Sequence, residues 1–424
     1  MRVLVISSTP WDNSNSFGNT FSNLFENMGG VEIYNLCLKH GVSNNNVVKK
    51  ACQLTDKTVL KSIYKFKFDP ARIIENESTN SSFEEEVSLN ARKKRRTLSF
   101  IVRDLIWKLG KWKKSKTLNS FLEEIKPDVI YLPIYSTPYM CDVQSYLINK
   151  IGVKVVGHIS DDVYIETNKK SFLAKIYNKV VRKKVKSLIQ KCEYLEVFAE
   201  NMKEEYQKVF NVPCYLIGKG VKPEQVEDIN YDISNESQIN FVYTGNLGLG
   251  RYEILSKIGC ALDKVMPNAK LKIYSATPLT DEMENGFSIC KSICFMGAVS
   301  SAEVLKVQKE ADYLIHVESF SKDEIPKAKM SFSTKIIDYM LSGKPIFAVG
   351  PKEVNSIQVL KNHNLAIVAE SNEELQTTLS KLYNSAIDLE VMANNVYSYL
   401  KNDRNIYEIQ SGIKTRLENL INNK

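Results

Sequence analysis

No cysteine of this chain has a partner at C-x-x-C spacing: the eight, at positions 37, 52, 141, 192, 214, 260, 290 and 294, are scattered, and the four histidines (40, 158, 316, 363) lie far apart. Neither a zinc-ligand pattern nor a dithiol redox motif is written in the sequence. No apolar run approaches the ~18 residues that span a bilayer. The first one, Val3 to Ile6, is shorter than the roughly 7 to 15 residues of a signal-peptide core. Free thiols in this number suit a reducing compartment, which places the protein in the cytoplasm. Two glycine motifs are missing as well. There is no G-x-x-x-x-G-K-[ST] and no G-x-G-x-x-G, which disfavours a P-loop nucleotidase and a nicotinamide enzyme. Internal repeats and low-complexity tracts are also lacking, and 43% apolar with 25% charged residues excludes a disordered, collagenous or disulfide-stapled chain.

What is present is an alternation of strand and helix patterns over 424 residues, enough for two or three domains at about 150 residues each. Val3–Ile6 leads through a polar loop, Thr9 to Thr20, to an amphipathic segment (Phe17, Phe21, Leu24, Phe25, Met28) and a second strand, Val31 to Leu36. Short β-branched runs at 128–132, 153–156 and 195–198 continue the pattern, and parallel-sheet α/β is the reading. The stretch 229–238 turns polar and reads as an interdomain linker. Strands and helices then restart with INFVYTG, a helix over 252–266, and the later strands KLKIYSA, ICFMGAV, DYLIHV and PIFAVG. A final helical pattern (Tyr399, Ile406, Ile409, Ile413, Leu417, Leu420) follows the last strand and must find a face to bury.

Two constellations carry chemistry. In FSTKIIDYMLSGKP, Phe332 to Pro345, Ser333 and Thr334 are suited to capping a two-turn helix that Gly343 and Pro345 end. Lys335, Asp338 and Ser342 share its polar face. A cation, two hydroxyls and unpaired amides at one helix start make a diphosphate cradle, and an acid one turn later accepts hydrogen bonds from ribose hydroxyls. The alternative is an ordinary amphipathic helix with a Lys335–Asp338 surface pair. In YTGNLGLGRYEIL, Gly245, Asn246, Gly248 and Gly250 form a turn that carries Arg251 into the next helix, where its guanidinium would hold a phosphate. The alternative there is a tight strand-to-helix turn with a surface arginine. A third candidate is VKVVGHISDDVY, which sets His158, Asp161 and Asp162 at the carboxyl edge of a parallel strand, where open sheets bind ligands. A lone histidine is more often structural. The Thr9–Thr20 loop should lie on the same edge.

Together these motifs resemble the GT-B glycosyltransferases, specifically the retaining family 4 type of bacterial capsule, exopolysaccharide and O-antigen synthesis. STKIIDYMLSGKPIFAVG is similar to the family's donor-site helix, YTGNLGLGR to its phosphate-arginine loop, HISDDVY to its first-domain histidine strand end, and FGNT (Gly18, Asn19, Thr20) to its acceptor loop. The resemblance spans essentially the whole chain. It implies two Rossmann-like domains facing across a cleft that closes in catalysis: residues 1–228, with 397–424 crossing back onto them, and residues 237–396. It further implies sugar transfer, of hexosyltransferase type, from a nucleotide-diphosphate sugar to a hydroxyl acceptor that is lipid-linked or glycan. Configuration would be retained, with no cofactor and no metal. Gly245, Asn246, Arg251, Ser333, Thr334, Lys335 and Asp338 would hold the donor, and His158, Asp161 and Asp162 would serve catalysis. The family's paired glutamates lie eight positions apart. Here Asp338 holds the later place and Met330 the earlier, with Glu318 or Glu324 as substitutes and Lys257 as the nearest match to a second family cation.

The formal charge is +8, and between Arg92 and Lys116 eleven Lys/Arg face a single acid, Asp104. Leu98, Ile101, Val102, Leu105, Leu109 and Trp112 form one face there, which suits a helix in an anionic headgroup layer at the inner face of the plasma membrane, with Trp107 and Trp112 as candidate anchors. A core-packed helix with a solvated basic face is the other reading. No zinc finger, helix-turn-helix or RNP-like pattern accompanies the charge, so nucleic acid is not an expected partner. Two rivals to sugar transfer remain: a sugar-nucleotide epimerase of the same architecture, and a catalytically silent nucleotide-binding partner subunit.

Overall fold

The computed structural model describes residues 1–65, 67–74, 96–165, 171–231 and 238–422. The chain forms two compact units, one of Met1–Phe198, Met202–Ile217 and Tyr407–Lys424, the other of Ala199–Asn201 and Gly218–Ile406.

The first unit is built on strands β1 (Arg2–Ser7), β2 (Glu32–Cys37), β3 (Val48–Gln53), β4 (Arg72–Ile74), β5 (Val129–Pro133), β6 (Val155–Ile159), β7 (Tyr194–Val197) and β8 (Cys214–Leu216) in the order β4-β3-β2-β1-β5-β6-β7-β8. All pair in parallel except β4, which closes the edge antiparallel to β3. β1, β5, β6 and β7 are almost wholly buried, as a parallel sheet covered on both faces requires. The returning helix Ile406–Asn422 completes this core by burying Ile413 and Leu417 beside Val3, Phe25 and Tyr194.

The second unit has β9 (Asn240–Thr244), β10 (Lys270–Tyr274), β11 (Ile293–Gly297), β12 (Tyr313–Val317), β13 (Ile346–Val349) and β14 (Ile367–Ala369), all parallel, in the order β11-β10-β9-β12-β13-β14. Numbered within the unit this is 3-2-1-4-5-6, the Rossmann order, whose winding reverses between β9 and β12. Alternate residues feed two cores: Phe241, Tyr313, Ile315 and Phe347 go to one face, Val242, Leu314, Ile346 and Ala348 to the other.

Several expectations are corrected. The chain crosses between units at Ile217/Gly218, ahead of the polar stretch, because Val221 and Val226 are already buried in the second unit. Residues 232–237 of that stretch lie outside the described residues. Residues 397–406 stay with the second unit, where Tyr399 and Leu400 are buried; the return begins at Tyr407. The cysteines are not all free, since Cys260 and Cys290, thirty residues apart, form a disulfide. The basic stretch is helical over Arg96–Leu109 and 3-10 over Lys111–Lys114, and its start, residues 92–95, lies outside the described residues. Trp107 and Trp112 are buried rather than interfacial: the Trp107 indole donates to Asp56 Oδ1 (2.6 Å) and that of Trp112 to the Trp107 carbonyl (2.8 Å). An indole finds its polar partner inside the fold and leaves the outer face to aliphatic side chains. Among the described residues no helix is long and apolar enough to cross a membrane.

Candidate functional site

Ligands of open parallel sheets bind at the carboxyl ends of the strands where the winding reverses. In the second unit those ends are Thr244 of β9 and Val317 of β12, and the sequence-predicted groups meet there. β9 runs into a turn, with Leu249 (φ 58°) and Gly250 (φ 72°) in left-handed conformation, that delivers Arg251 to the start of the Arg251–Val265 helix. A Cβ on Gly250 would lie 2.5 Å from Ser319 Oγ, and one on Gly245 would lie 2.7 Å from Tyr243 Oη and 3.2 Å from Lys335 Nζ. These two glycines therefore let the β9 turn pass close to the β12 loop and to the lysine. Asn246 closes the turn by accepting the Gly248 amide (2.5 Å).

Arg251 Nη2 donates to Glu318 at 3.2 and 3.4 Å, just past β12. Glu318 is buried; burial pushes its carboxyl up and Arg251 draws it back down. Behind it, burial, with Arg251 and Lys335 adding to it, pushes His316 down to about 3, and its Nε2 lies 3.1 Å from Ser356 Oγ. Lys335 opens the seven-residue helix Lys335–Leu341, and its ammonium reaches the Thr244 carbonyl at 3.5 Å. Crowding by protein lowers its pKa first, and the charge of Arg251 lowers it further. The two cations are thus close enough to repel each other, with the Glu318 carboxylate as counter-ion on the arginine side.

Other members of the set behave differently. The helix begins at Thr334 without a side-chain cap, so the capping expected of Ser333 and Thr334 is not made. The backbone at Thr334 is already helical, which leaves its hydroxyl poorly placed to reach the amides ahead. Asp338 pairs not with Lys335 but with Lys219, at 2.5 Å. Lys219 lies between Gly218, where a Cβ would strike Arg404 at 2.2 Å, and Gly220, where it would strike Ile406 at 2.6 Å. The G-K-G run was its only sequence signal. Asp338 also borders a groove of about 700 Å³ in this unit, with Gln225, Lys306, Lys309 and Ser342. Met330 is buried, and Glu324 pairs with Lys327 at 2.7 Å, so of the two substitute acids it is Glu318 that reaches Arg251. Lys257 lies beside Glu373 instead.

In the first unit, His158 is not beyond the strand but inside β6, buried against Phe21, Tyr131 and Phe198. Its Nδ1 is 3.2 Å from the Tyr131 hydroxyl, its Nε2 is buried with no partner among the described residues, and burial pushes it down to about 3. Tyr131 in turn donates to Glu196 Oε2 (2.5 Å), whose Oε1 accepts from Arg416 Nη2 (2.6 Å). Asp162 is engaged by the Tyr206 hydroxyl (2.6 Å) and the Tyr164 amide (2.8 Å), with Asp161 exposed next to it. Gly18, Asn19 and Thr20 are not in a loop: they sit in the helix Ser16–Phe25, capped by Asn15, whose side chain accepts the Gly18 amide. Gly18 is needed because a Cβ would fall 2.0 Å from the Asp12 carbonyl.

The two neutral, buried histidines predict an acid response. An imidazole that titrates near 3 in the fold and near 6.5 when exposed contributes its full stability above the higher value and loses it as pH falls towards the lower. Each unit should lose about 2 kcal/mol by pH 5 on this account. Thermal unfolding followed between about pH 7 and 5 measures it, and a melting midpoint that does not move would contradict it.

No protein-family model matches the sequence, and no curated protein is similar to it in sequence. Solved structures are similar in fold. Sucrose-phosphate synthase from Thermosynechococcus elongatus aligns at 10% identity over 100% of both chains, with a TM-score of 0.63. Anabaena HepE in complex with UDP gives 0.64 at 10% identity, covering 99% of this chain and 100% of that one. An α,α-trehalose-phosphate synthase (UDP-forming) from Burkholderia xenovorans, in complex with glucose-6-phosphate, gives 0.60 at 9% identity over 99% and 100%. At such identity the likeness is one of architecture, and the chain has the two-unit α/β fold of the GT-B glycosyltransferases.

Proposed function

We propose that the protein transfers a sugar, of hexose type, from a nucleotide-diphosphate donor to a hydroxyl acceptor, with retention of configuration. The observation that carries this reading is the convergence of Arg251 and Lys335, from separate helices, on the β9/β12 edge. As the bond from the sugar's anomeric carbon to the diphosphate breaks, negative charge grows on the leaving oxygens. Preorganised cations stabilise that charge without reorganising. Arg251 and Lys335 supply two positive charges there, the compensation a divalent ion gives in other transferases. Asp338 is the acceptor for ribose hydroxyls once Lys219 yields, and the groove beside it has the size of a nucleoside site. A lipid-linked or polysaccharide acceptor of bacterial surface glycan synthesis follows from the motif resemblance.

Glu318 occupies Arg251 where the diphosphate would sit. Glu318→Gln removes the competing charge and keeps an acceptor for the guanidinium. It should tighten binding of a nucleoside diphosphate by about tenfold in calorimetry. Weaker binding would mean that Glu318 chiefly orients the arginine. The function itself is tested by incubating purified protein with a panel of nucleotide sugars, uridine diphosphate sugars first because HepE is solved with UDP, and following nucleoside diphosphate release with and without membrane extract. Conversion of the sugar nucleotide without acceptor would indicate an epimerase. Met330, buried where the family carries an acid, favours a silent nucleotide-binding subunit as the second reading; binding without release would select it.

A further inference from the structure

Two helices of the first unit, Arg96–Leu109 and Phe172–Ile189, touch along one side. Phe100 stacks on Tyr177 with ring centres 6.2 Å apart, and Asp104 accepts from the Tyr177 hydroxyl and the Tyr139 amide, each at 3.1 Å. Away from that seam each helix carries a second apolar stripe that nothing described covers. On the first it is Leu98, Val102, Leu105 and Leu109, at helical spacing. On the second it is Phe172, Leu173, Ile176 and Val180. All eight are between 41 and 76% exposed. Soluble surfaces scatter such side chains singly; a pair of stripes on adjoining helices marks a partner.

The surrounding charge says which partner. The second helix bears Lys175, Lys179, Arg182, Lys183, Lys184 and Lys186 and no acid. The first has one acid, Asp104, and it is held by Tyr177 and Tyr139. On the Phe172–Ile189 helix the lysines at 175, 179 and 183 recur every four residues and so flank the stripe at 172, 176 and 180. Apolar side chains that insert among acyl chains, bordered by cations at headgroup level, match an anionic bilayer. A second copy of the chain would bring two strongly cationic faces together. A nucleic acid would leave eight apolar side chains against phosphate, and among the described residues of the two helices Phe172 is the exposed aromatic.

We infer that this two-helix face docks on the surface of an anionic lipid bilayer, with Phe172 and the leucines as its anchors. The protein lies on the membrane without spanning it. The two helices belong to the first unit and the donor-site residues to the second, so the inference goes beyond the sugar-transfer reading and does not depend on it.

Full-length protein should co-sediment with vesicles of phosphatidylglycerol and phosphatidylcholine, and not with phosphatidylcholine alone. Raising the salt should release it. K175Q/K179Q/K183Q should weaken binding about a hundredfold and L105S/I176S about tenfold or more, both with unchanged melting midpoints because these positions are exposed. Equal binding to neutral vesicles or indifference to both variants would overturn the inference. So would a concentration-dependent dimer abolished by the same substitutions, or tighter binding to nucleic acid than to vesicles. No donor is present in this assay, so its failure leaves sugar transfer untouched, and loss of diphosphate release leaves vesicle binding untouched.

Discussion

Lys335→Ala is expected to reduce nucleoside diphosphate release by about a hundred- to a thousandfold, the cost of deleting one preorganised donor aimed at a developing oxyanion. The effect should fall on turnover more than on KM, because the diphosphate carries more charge in the transition state than in the bound donor. The fold should survive. Among the described residues the ammonium makes one long hydrogen bond, to the Thr244 carbonyl, while the helix that carries it is held by buried Ile336, Ile337, Tyr339 and Met340. Arg251→Ala should lose a similar factor, and the double variant much less than the product, since both act on one leaving group. Steady-state assays beside a thermal melt check this. Turnover unchanged in Lys335→Ala would remove sugar transfer from consideration.

The largest expected effect on stability lies in the other unit. Glu196 is completely buried and its charge is met by Arg416, from the returning C-terminal helix, with Tyr131 as second donor. Arg416→Ala leaves a buried carboxylate with the tyrosine alone, and should destabilise the first unit by about 3 to 5 kcal/mol. Adding Glu196→Gln to it should recover part of the loss, because a neutral amide tolerates burial better than an unpaired charge. Denaturant unfolding of the four-member cycle measures the coupling. Single and double variants of equal stability would mean that the ion pair adds nothing beyond the packing of Ile413 and Leu417.

Some of this was readable along the chain. Val3–Ile6, INFVYTG and DYLIHV are strands because a parallel sheet covered on both faces demands unbroken apolar runs, and local composition reports that directly. Arg251 and Lys335 were also legible, since a glycine turn before a helix start and a lysine after two hydroxyls are local patterns. β3 was not: its first half, VKK, carries two lysines, one of which pairs with Glu124 at 2.6 Å, and it reads as polar until β2 and β4 flank it. His158 looked like a strand-end ligand. It is a core residue, because β6 continues to Ile159, past the end of the apolar run at 153–156. The tryptophans matched a membrane helix, yet Asp56, some fifty residues earlier, claims one of their indoles.

The order of strands and helices, the division into two α/β halves and the places of Arg251 and Lys335 at two helix starts were all set by patterns a few residues long. Such patterns report each segment's own preference for one face, one turn or one helix end. Which groups then face each other was decided only when the sheets assembled. The winding that puts β12 beside β9 brings Glu318 to Arg251 across 67 residues, the glycine-flanked Lys219 reaches Asp338, and the last helix returns Arg416 to Glu196 across 220. Pairings of that range depend on topology and on the expulsion of water from shared burial, and no window of neighbouring residues contains either.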